Sequence, residues 1–249
     1  MYSKINSLNI YYQKLGKGQD LILLHGWKQD VSTWWPILDH LKEFYTLWLI
    51  DLPGFGRSDL PKKPFNILDY ADVVGEFIKK NKINRPVLLG HSLGGRVAIK
   101  LACHLRGVKL DKLILESSAG IKPKRDYLKP LIFSLAKFSH LIPNLFNLKE
   151  KLTVAFYKSL KSDYLNAGPL KQTLKNILEE DLTDDLGKIE TETLLIWGEK
   201  DPTKETSPKF AKKMYQLIKN SRLEVLEDVG HFPHLEAPEK FIYYVKDFI

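Results

Sequence analysis

The segment Gly90-His91-Ser92-Leu93-Gly94 follows directly on the apolar run Pro86-Val87-Leu88-Leu89, and it limits the possible folds more than any other stretch of the chain. A short apolar run of this kind reads as a buried strand. The sequence after it, with Val97, Leu101 and Leu105 on one face, reads as a helix. Passing from strand to helix at once forces the corner residue, Ser92, into a strained conformation. The glycines two residues to either side keep side chains out of the crowded turn. Ser92 is thereby held out at the end of a sheet, beside its neighbours' backbone N–H groups and a helix N-terminus.

The rest of the first half has the same rhythm. Ile5 to Tyr12 reads as an edge strand, turned by Leu15-Gly16-Lys17-Gly18, and Asp20-Leu21-Ile22-Leu23-Leu24 as a strand buried on both faces. His25-Gly26 opens a loop, and a helix is expected over Thr33 to Glu43. A further buried strand, Tyr45 to Ile50, is closed by the turn Asp51 to Ser58. Asn66 is the expected N-cap of a helix running to about Lys82, with Ile67, Tyr70, Val74, Phe77 and Ile78 on its apolar face. Lys112 to Glu116 is the next strand. Alternation of this kind implies a parallel sheet covered by helices on both faces.

Between about Ser118 and Gly187 the rhythm breaks. Amphipathic helical stretches replace the strands: Arg125 to Ile142, including Phe138, then Leu148 to Leu160 and Leu170 to Leu182. Strands resume at Thr193 to Trp197 and Arg222 to Leu226, with one helix between them and another at the C-terminus. The expected organisation is a core of residues 1–117 and 188–249 interrupted by an all-helical cap at 118–187. An insertion after a strand's C-terminal end lies over the edge where such sheets bind ligands, so it reads as a lid.

Composition excludes several classes. With 249 residues and 44% hydrophobic content the chain can bury a real core, and no apolar stretch has the length of a membrane span. Met1-Tyr2-Ser3-Lys4 begins no signal peptide, so the expected location is cytoplasmic, without stable membrane insertion. The one cysteine, Cys103, reads as a packed helix residue. The net charge of +8 comes from lysines scattered among acids, with no RNA-binding motif or zinc-finger spacing, so no nucleic-acid partner is expected. Lys122 to Ile142 is basic and apolar enough to suggest contact with a membrane surface, although packing is the plainer reading.

A hydroxyl near neutral pH needs a base to become a nucleophile. His231, in Asp228-Val229-Gly230-His231-Phe232-Pro233-His234, follows the last strand on the same sheet edge as Ser92. His234 has the same chemistry, but Pro233 and Leu235-Glu236 assign it to the descent into the final helix. An acid must fix the base's tautomer. Asp201, before Pro202, completes the order Ser…Asp…His, while Glu116 and Glu199 are rivals at the ends of neighbouring strands. Oxyanion donors are expected from the N–H groups of Leu93 and of Trp27 in the His25-Gly26-Trp27 loop. Expected substrate contacts are His25, Gly26, Trp34, His91 and Phe138. His25 itself reads as a loop-bracing histidine, and Trp34 and Trp35 read equally as core or pocket wall.

His25-Gly26, Asp51 to Ser58, Gly90 to Gly95, Asp201-Pro202 and Gly230-His231 together resemble the α/β-hydrolase superfamily, in the serine hydrolase and esterase branch with a helical cap after the sixth strand. The resemblance spans nearly the whole chain. It implies a mostly parallel eight-stranded sheet with helices on both faces, and no metal or other cofactor. It also implies a monomer or homodimer acting on a small-molecule ester or lactone through an acyl-enzyme. Carbon–carbon bond hydrolases, thioesterases and acyl-homoserine lactonases share the same triad. Ser92 counts against the members that open epoxides or remove halides, which carry aspartate at that position. A ligand receptor on this fold is the non-enzymatic alternative.

Overall fold

In a computed structural model of the chain, residues 1–104, 107–123 and 167–249 are described. The chain divides into two compact units, residues 1–122 with 176–249, and residues 123–175. The stretches expected to be helical at Arg125–Ile142, with Phe138, and at Leu148–Leu160 lie outside the described residues.

The larger unit is built on a sheet of eight strands: β1 (Tyr2–Ile5), β2 (Leu8–Leu15), β3 (Gln19–Leu24), β4 (Tyr45–Ile50), β5 (Val87–His91), β6 (Leu113–Glu116), β7 (Thr193–Gly198) and β8 (Ser221–Leu226). Their spatial order is β1-β2-β4-β3-β5-β6-β7-β8. The pairs β1–β2 and β2–β4 are antiparallel, and all later pairs are parallel. Fold class and strand number match expectation, with one correction at the N-terminus. Ile5 to Tyr12 is not one strand. Asn6 and Ser7 sit at φ +45° and +73° and turn the chain back, so that Ile5 faces Leu8 across a hairpin. Asparagine tolerates this left-handed region better than most residues, and a two-residue turn of this hand suits the twist of a hairpin.

Among the described residues, seven helical segments accompany these strands around the core. They are α1 (Trp35–Leu41), preceded by a 3-10 turn at Val31–Trp34, then α2 (Ile67–Lys80), α3 (Leu93–His104), α5 (Thr183–Leu186), α6 (Pro208–Leu217), α7 (Pro233–Glu236) and α8 (Pro238–Phe248). The element α4 (Lys171–Glu179) runs from the smaller unit into the larger one. Alternate strand residues Leu21, Leu23, Leu47, Leu49, Val87, Leu89, Leu194 and Ile196 form one core face with Ile37 of α1 and Phe241 and Val245 of α8. On the other face, Phe77 of α2 packs edge-on against Tyr12 and Trp48. Each large aliphatic side chain removed from water in this way contributes about 1.5–3 kcal/mol. Asn66 caps α2 as the sequence predicts: its side chain accepts the Asp69 N–H at 2.9 Å, and Asp69 reaches back to the Asn66 N–H at 2.8 Å.

Two features of this architecture position the site. First, β4 lies on one side of β3 and β5 on the other, so the chain reverses direction across the sheet between them. Loops leaving two such strands diverge and open a crevice at their C-terminal ends. Second, the chain segments flanking residues 123–175 are tied to the core. Leu182 N–H donates to Gly120 O at 2.8 Å, and Lys122 Nζ to Glu179 O at 2.8 Å. The buried Arg96 guanidinium of α3 donates to Ile177 O at 2.7 Å and Glu180 O at 2.5 Å.

Candidate active site

Parallel pairing brings the C-terminal ends of β3, β5, β6, β7 and β8 to one edge of the sheet. The residues that follow them are, in order, His25, Ser92, Ser117, the Asp201 loop and the His231 loop. Ser92 sits at φ +51°, a left-handed conformation that costs a side-chain-bearing residue about 1–3 kcal/mol. The turn is held by hydrogen bonds on both sides: Ser92 N–H donates to Glu116 O at 3.0 Å, and Gly94 N–H to His25 O at 3.1 Å. A Cβ on Gly94 would collide with the backbone of Leu24 in β3, so only glycine lets the helix start so close to the neighbouring strand. These contacts commit the amides flanking Leu93, whose own N–H opens α3.

His231 and Asp201 come together. Nδ1 of His231 lies 2.8 Å from Asp201 Oδ2. The same oxygen accepts the Thr206 hydroxyl at 2.8 Å, while Oδ1 accepts the Thr203 N–H at 2.9 Å. Burial works against the Asp201 charge. The hydrogen bond and positive charge of His231, with the Thr203 and Thr206 donors, outweigh it and hold this carboxyl below the ordinary aspartate range. An ionised acceptor at this position places the His231 proton on Nδ1 and leaves Nε2 with its lone pair. The His231 loop is braced by one carboxylate: Glu236 accepts the Gly230 N–H at 2.7 Å and the Phe232 N–H at 2.9 Å.

The rival acids go elsewhere. Glu199 faces the Asp228 N–H at 3.4 Å, on the outside of the loop. Glu116, fully buried, accepts both the amide of His234 at 2.8 Å and its Nδ1 at 2.7 Å. His234 occupies α7, where the sequence assigns it. Two histidines three residues apart are thus sorted onto two different carboxylates.

His91 links the two pairs. Its ring centroid lies 4.8 Å from that of His231 and 5.2 Å from that of His234, and Nδ1 stands 3.7 Å from Glu116 Oε2. It has no exposed surface, and desolvation keeps its pKa well below the ordinary histidine value, so the ring is neutral. His25 is also fully buried, and desolvation lowers it to about 4. Its Nδ1 lies 2.8 Å from Gly26 O, and Nε2 accepts the Leu52 N–H at 3.0 Å, which fixes the proton on Nδ1. Trp27 is half-buried, with its ring 5.0 Å from Phe55. Trp34 lies in the core against His234, at 4.5 Å between ring centroids, whereas Trp35 is 59% exposed. Cys103 packs in α3, where burial pushes its thiol up to about 11. The turn after β4 is a brace: Asp51 accepts the Val31 N–H at 2.7 Å and the Arg57 N–H at 2.8 Å.

Thr206, Gln29 and Thr33 are polar members of this edge that the sequence does not single out. Each is one side chain in a loop or short turn, with no spacing pattern to mark it.

A strained serine at a strand-to-helix turn, with an aspartate–histidine pair on the same sheet edge, defines a class of fold and site. The chain belongs to the alpha/beta hydrolase family, whose model matches residues 21–242. Among its relatives is a pimeloyl-[acyl-carrier protein] methyl ester esterase of Nitrosospira multiformis, 30% identical over 96% of this chain and 97% of the relative. A protein of the same description from Nitrosomonas europaea is 29% identical over 94% of this chain and 97% of its own length. Of solved structures, an esterase from Exiguobacterium antarcticum superposes with a TM-score of 0.78 at 27% identity, covering 99% of this chain and 98% of the esterase. Among the described residues, no helix is long and apolar enough to cross a membrane.

Proposed function

We propose that this protein is a serine-dependent hydrolase of carboxylic esters and lactones with small to medium, largely apolar acyl groups. Ser92 Oγ attacks the carbonyl carbon as His231 Nε2 takes its proton. Asp201 holds the ring in that tautomer and stabilises the imidazolium. The N–H groups of Leu93 and Trp27 receive the oxyanion. The tetrahedral species collapses as His231 returns the proton to the leaving alkoxide, and a water activated by the same ring then releases the acid and restores Ser92.

The observation that carries the reading is the 2.8 Å His231–Asp201 pair on the sheet edge where Ser92 is held at φ +51°. The esterase relatives support ester hydrolysis over the other chemistries that this fold hosts. A second reading narrows the substrate to a methyl ester whose acyl chain is held on a carrier protein. It is favoured by the names of the Nitrosospira and Nitrosomonas relatives.

The test is Ser92→Ala, assayed with p-nitrophenyl butyrate beside fluorophosphonate labelling of the unaltered protein. Turnover should vanish in a folded variant, and the label should map to Ser92 alone. Substantial residual turnover, or a label on another residue, defeats the assignment. Comparing one methyl ester free and carrier-linked separates the two substrate readings.

A further inference from the structure

The carboxylate that Asp201 displaces from the chemistry has a partner set of its own, and the proton directions along it can be followed from end to end. Glu116 Oε1 already accepts the backbone N–H of His234, so it also receives the second bond, from Nδ1–H of the same residue at 2.7 Å. In the neutral Nδ1–H tautomer the other ring nitrogen, Nε2, carries a lone pair. It lies 2.9 Å from Thr33 Oγ1, whose hydroxyl must donate to it. The Thr33 oxygen in turn accepts from Gln29 Nε2 at 2.9 Å. That orientation of the amide turns Gln29 Oε1 toward the Gly26 N–H, which it accepts at 2.8 Å. Every donor points the same way, from the Gly26 amide to the buried carboxylate, and bonds aligned in this manner polarise and stiffen one another.

The near end of the chain is the turn that carries Trp27. Gly26 O is held by His25 Nδ1–H at 2.8 Å and by the Gln29 N–H at 3.3 Å. The Gly26 carbonyl and the Trp27 N–H belong to one peptide unit, which is planar and trans, so they point in opposite directions. Holding the carbonyl fixes where the Trp27 N–H points. Gln29 holds the two peptide units that meet at Gly26, through its own amide on Gly26 O and through its side chain on the Gly26 N–H of the preceding unit. The far end cannot swing, because the His234 ring is wedged between Trp34 at 4.5 Å and His91 at 5.2 Å.

We propose that Glu116, His234, Thr33 and Gln29 are positioning residues that aim the Trp27 N–H at the developing oxyanion; this rests on the acyl-enzyme reading above. None of the four touches the substrate. Their effect is confined to the state in which negative charge has formed on the carbonyl oxygen, where a correctly placed donor is worth about 10²- to 10³-fold in kcat.

The experiment compares Thr33→Val, which keeps the shape but removes the hydroxyl, with Thr33→Ser, which keeps the hydroxyl. The readouts are kcat and KM on p-nitrophenyl butyrate, and inhibition by an alkyl boronic acid that forms a tetrahedral adduct on the nucleophile. Thr33→Val should lower kcat about 10- to 100-fold and weaken the boronic acid by a similar factor, with KM within about twofold. Thr33→Ser should stay within about threefold of the unaltered protein. If Thr33→Val does not fold, Gln29→Met probes the same chain from its other end with the same expectation. Unchanged kcat in a folded Thr33→Val or Gln29→Met protein, or a loss that falls on KM instead, overturns the proposal. Ser92→Ala in parallel keeps the two claims apart. If it is inactive while Thr33→Val is fully active, only the positioning role falls. If it is active, the acyl-enzyme reading falls and takes this role with it.

Discussion

Replacing Asp201 with asparagine tests the assignment of the acid, and the neighbouring hydrogen bonds predict how the new side chain must sit. Oδ1 faces the Thr203 N–H at 2.9 Å, a backbone donor that cannot turn away. An asparagine therefore keeps its carbonyl oxygen there and places its NH2 where Oδ2 was, facing His231 Nδ1 and Thr206 Oγ1. The threonine hydroxyl can rotate to accept. The imidazole can accept only by moving its proton to Nε2, and in that tautomer it cannot take the proton of Ser92. Flipping the amide to restore the working tautomer sets N–H against N–H, at a cost of about 1–3 kcal/mol. That alone lowers kcat by about 5- to 150-fold. Loss of the negative charge beside the imidazolium adds to it, and a reversed tautomer costs about 10⁴-fold in all, or ~5.5 kcal/mol. Asp201→Asn should thus show kcat on p-nitrophenyl butyrate reduced by about 10³ to 10⁴ with little change in KM, and an unaltered near-ultraviolet circular dichroism spectrum. A folded variant with kcat within about threefold of the original would remove this carboxylate from the chemistry.

Two further outcomes concern stability. His25 is neutral and lowered to about 4 in the folded chain, against 6.5 when unfolded, so only the unfolded state gains a proton in between. The stability this contributes is complete above pH 6.5 and is lost as the pH falls to 4. The loss amounts to about 3 kcal/mol, and buried His91 acts in the same direction. Urea unfolding at pH 7 and pH 4.5 should show the loss, with a shallower dependence in His25→Asn; equal slopes in the two proteins would contradict it. Asn66→Ala should cost about 1 kcal/mol and lower Tm by about 2–4 °C, with Asn66→Asp restoring most of it. An unchanged melting point would show that the capping box contributes nothing.

What the sequence makes legible follows from how each feature is encoded. The central strands are short apolar runs bounded by glycine, proline and acidic residues, and a covered parallel sheet demands just such runs. β3, β4, β5 and β7 are therefore found within a residue or two of their observed ends. The β1–β2 hairpin is hidden because its turn, Asn6-Ser7, contains no glycine, and the two successive polar residues there are the only break in the alternation between Ile5 and Leu8. On the sheet edge, residue type and strand order bring forward His231, His234, Asp201 and Glu116. Chain order selects Asp201 for His231, but nothing in the sequence shows that His234 meets Glu116, because that contact joins two elements far apart in the chain. That sorting depends on the short helix α7, which carries His234 down to Glu116 and leaves His231 in the loop above. Gln29, Thr33 and Thr206 have no signal at all: each acts through side-chain hydrogen bonds to residues distant in sequence or across a turn.

The ties at Gly120–Leu182 and Lys122–Glu179, with the Arg96 guanidinium reaching Ile177 and Glu180, give the core a socket. The two stems are already fastened to each other and to α3, the helix that follows Ser92, so the entropic cost of bringing them together is met locally and grows only slowly with the length of chain between them. Lineages, or engineers, can therefore lengthen, shorten or exchange what joins the two stems at little cost to the core.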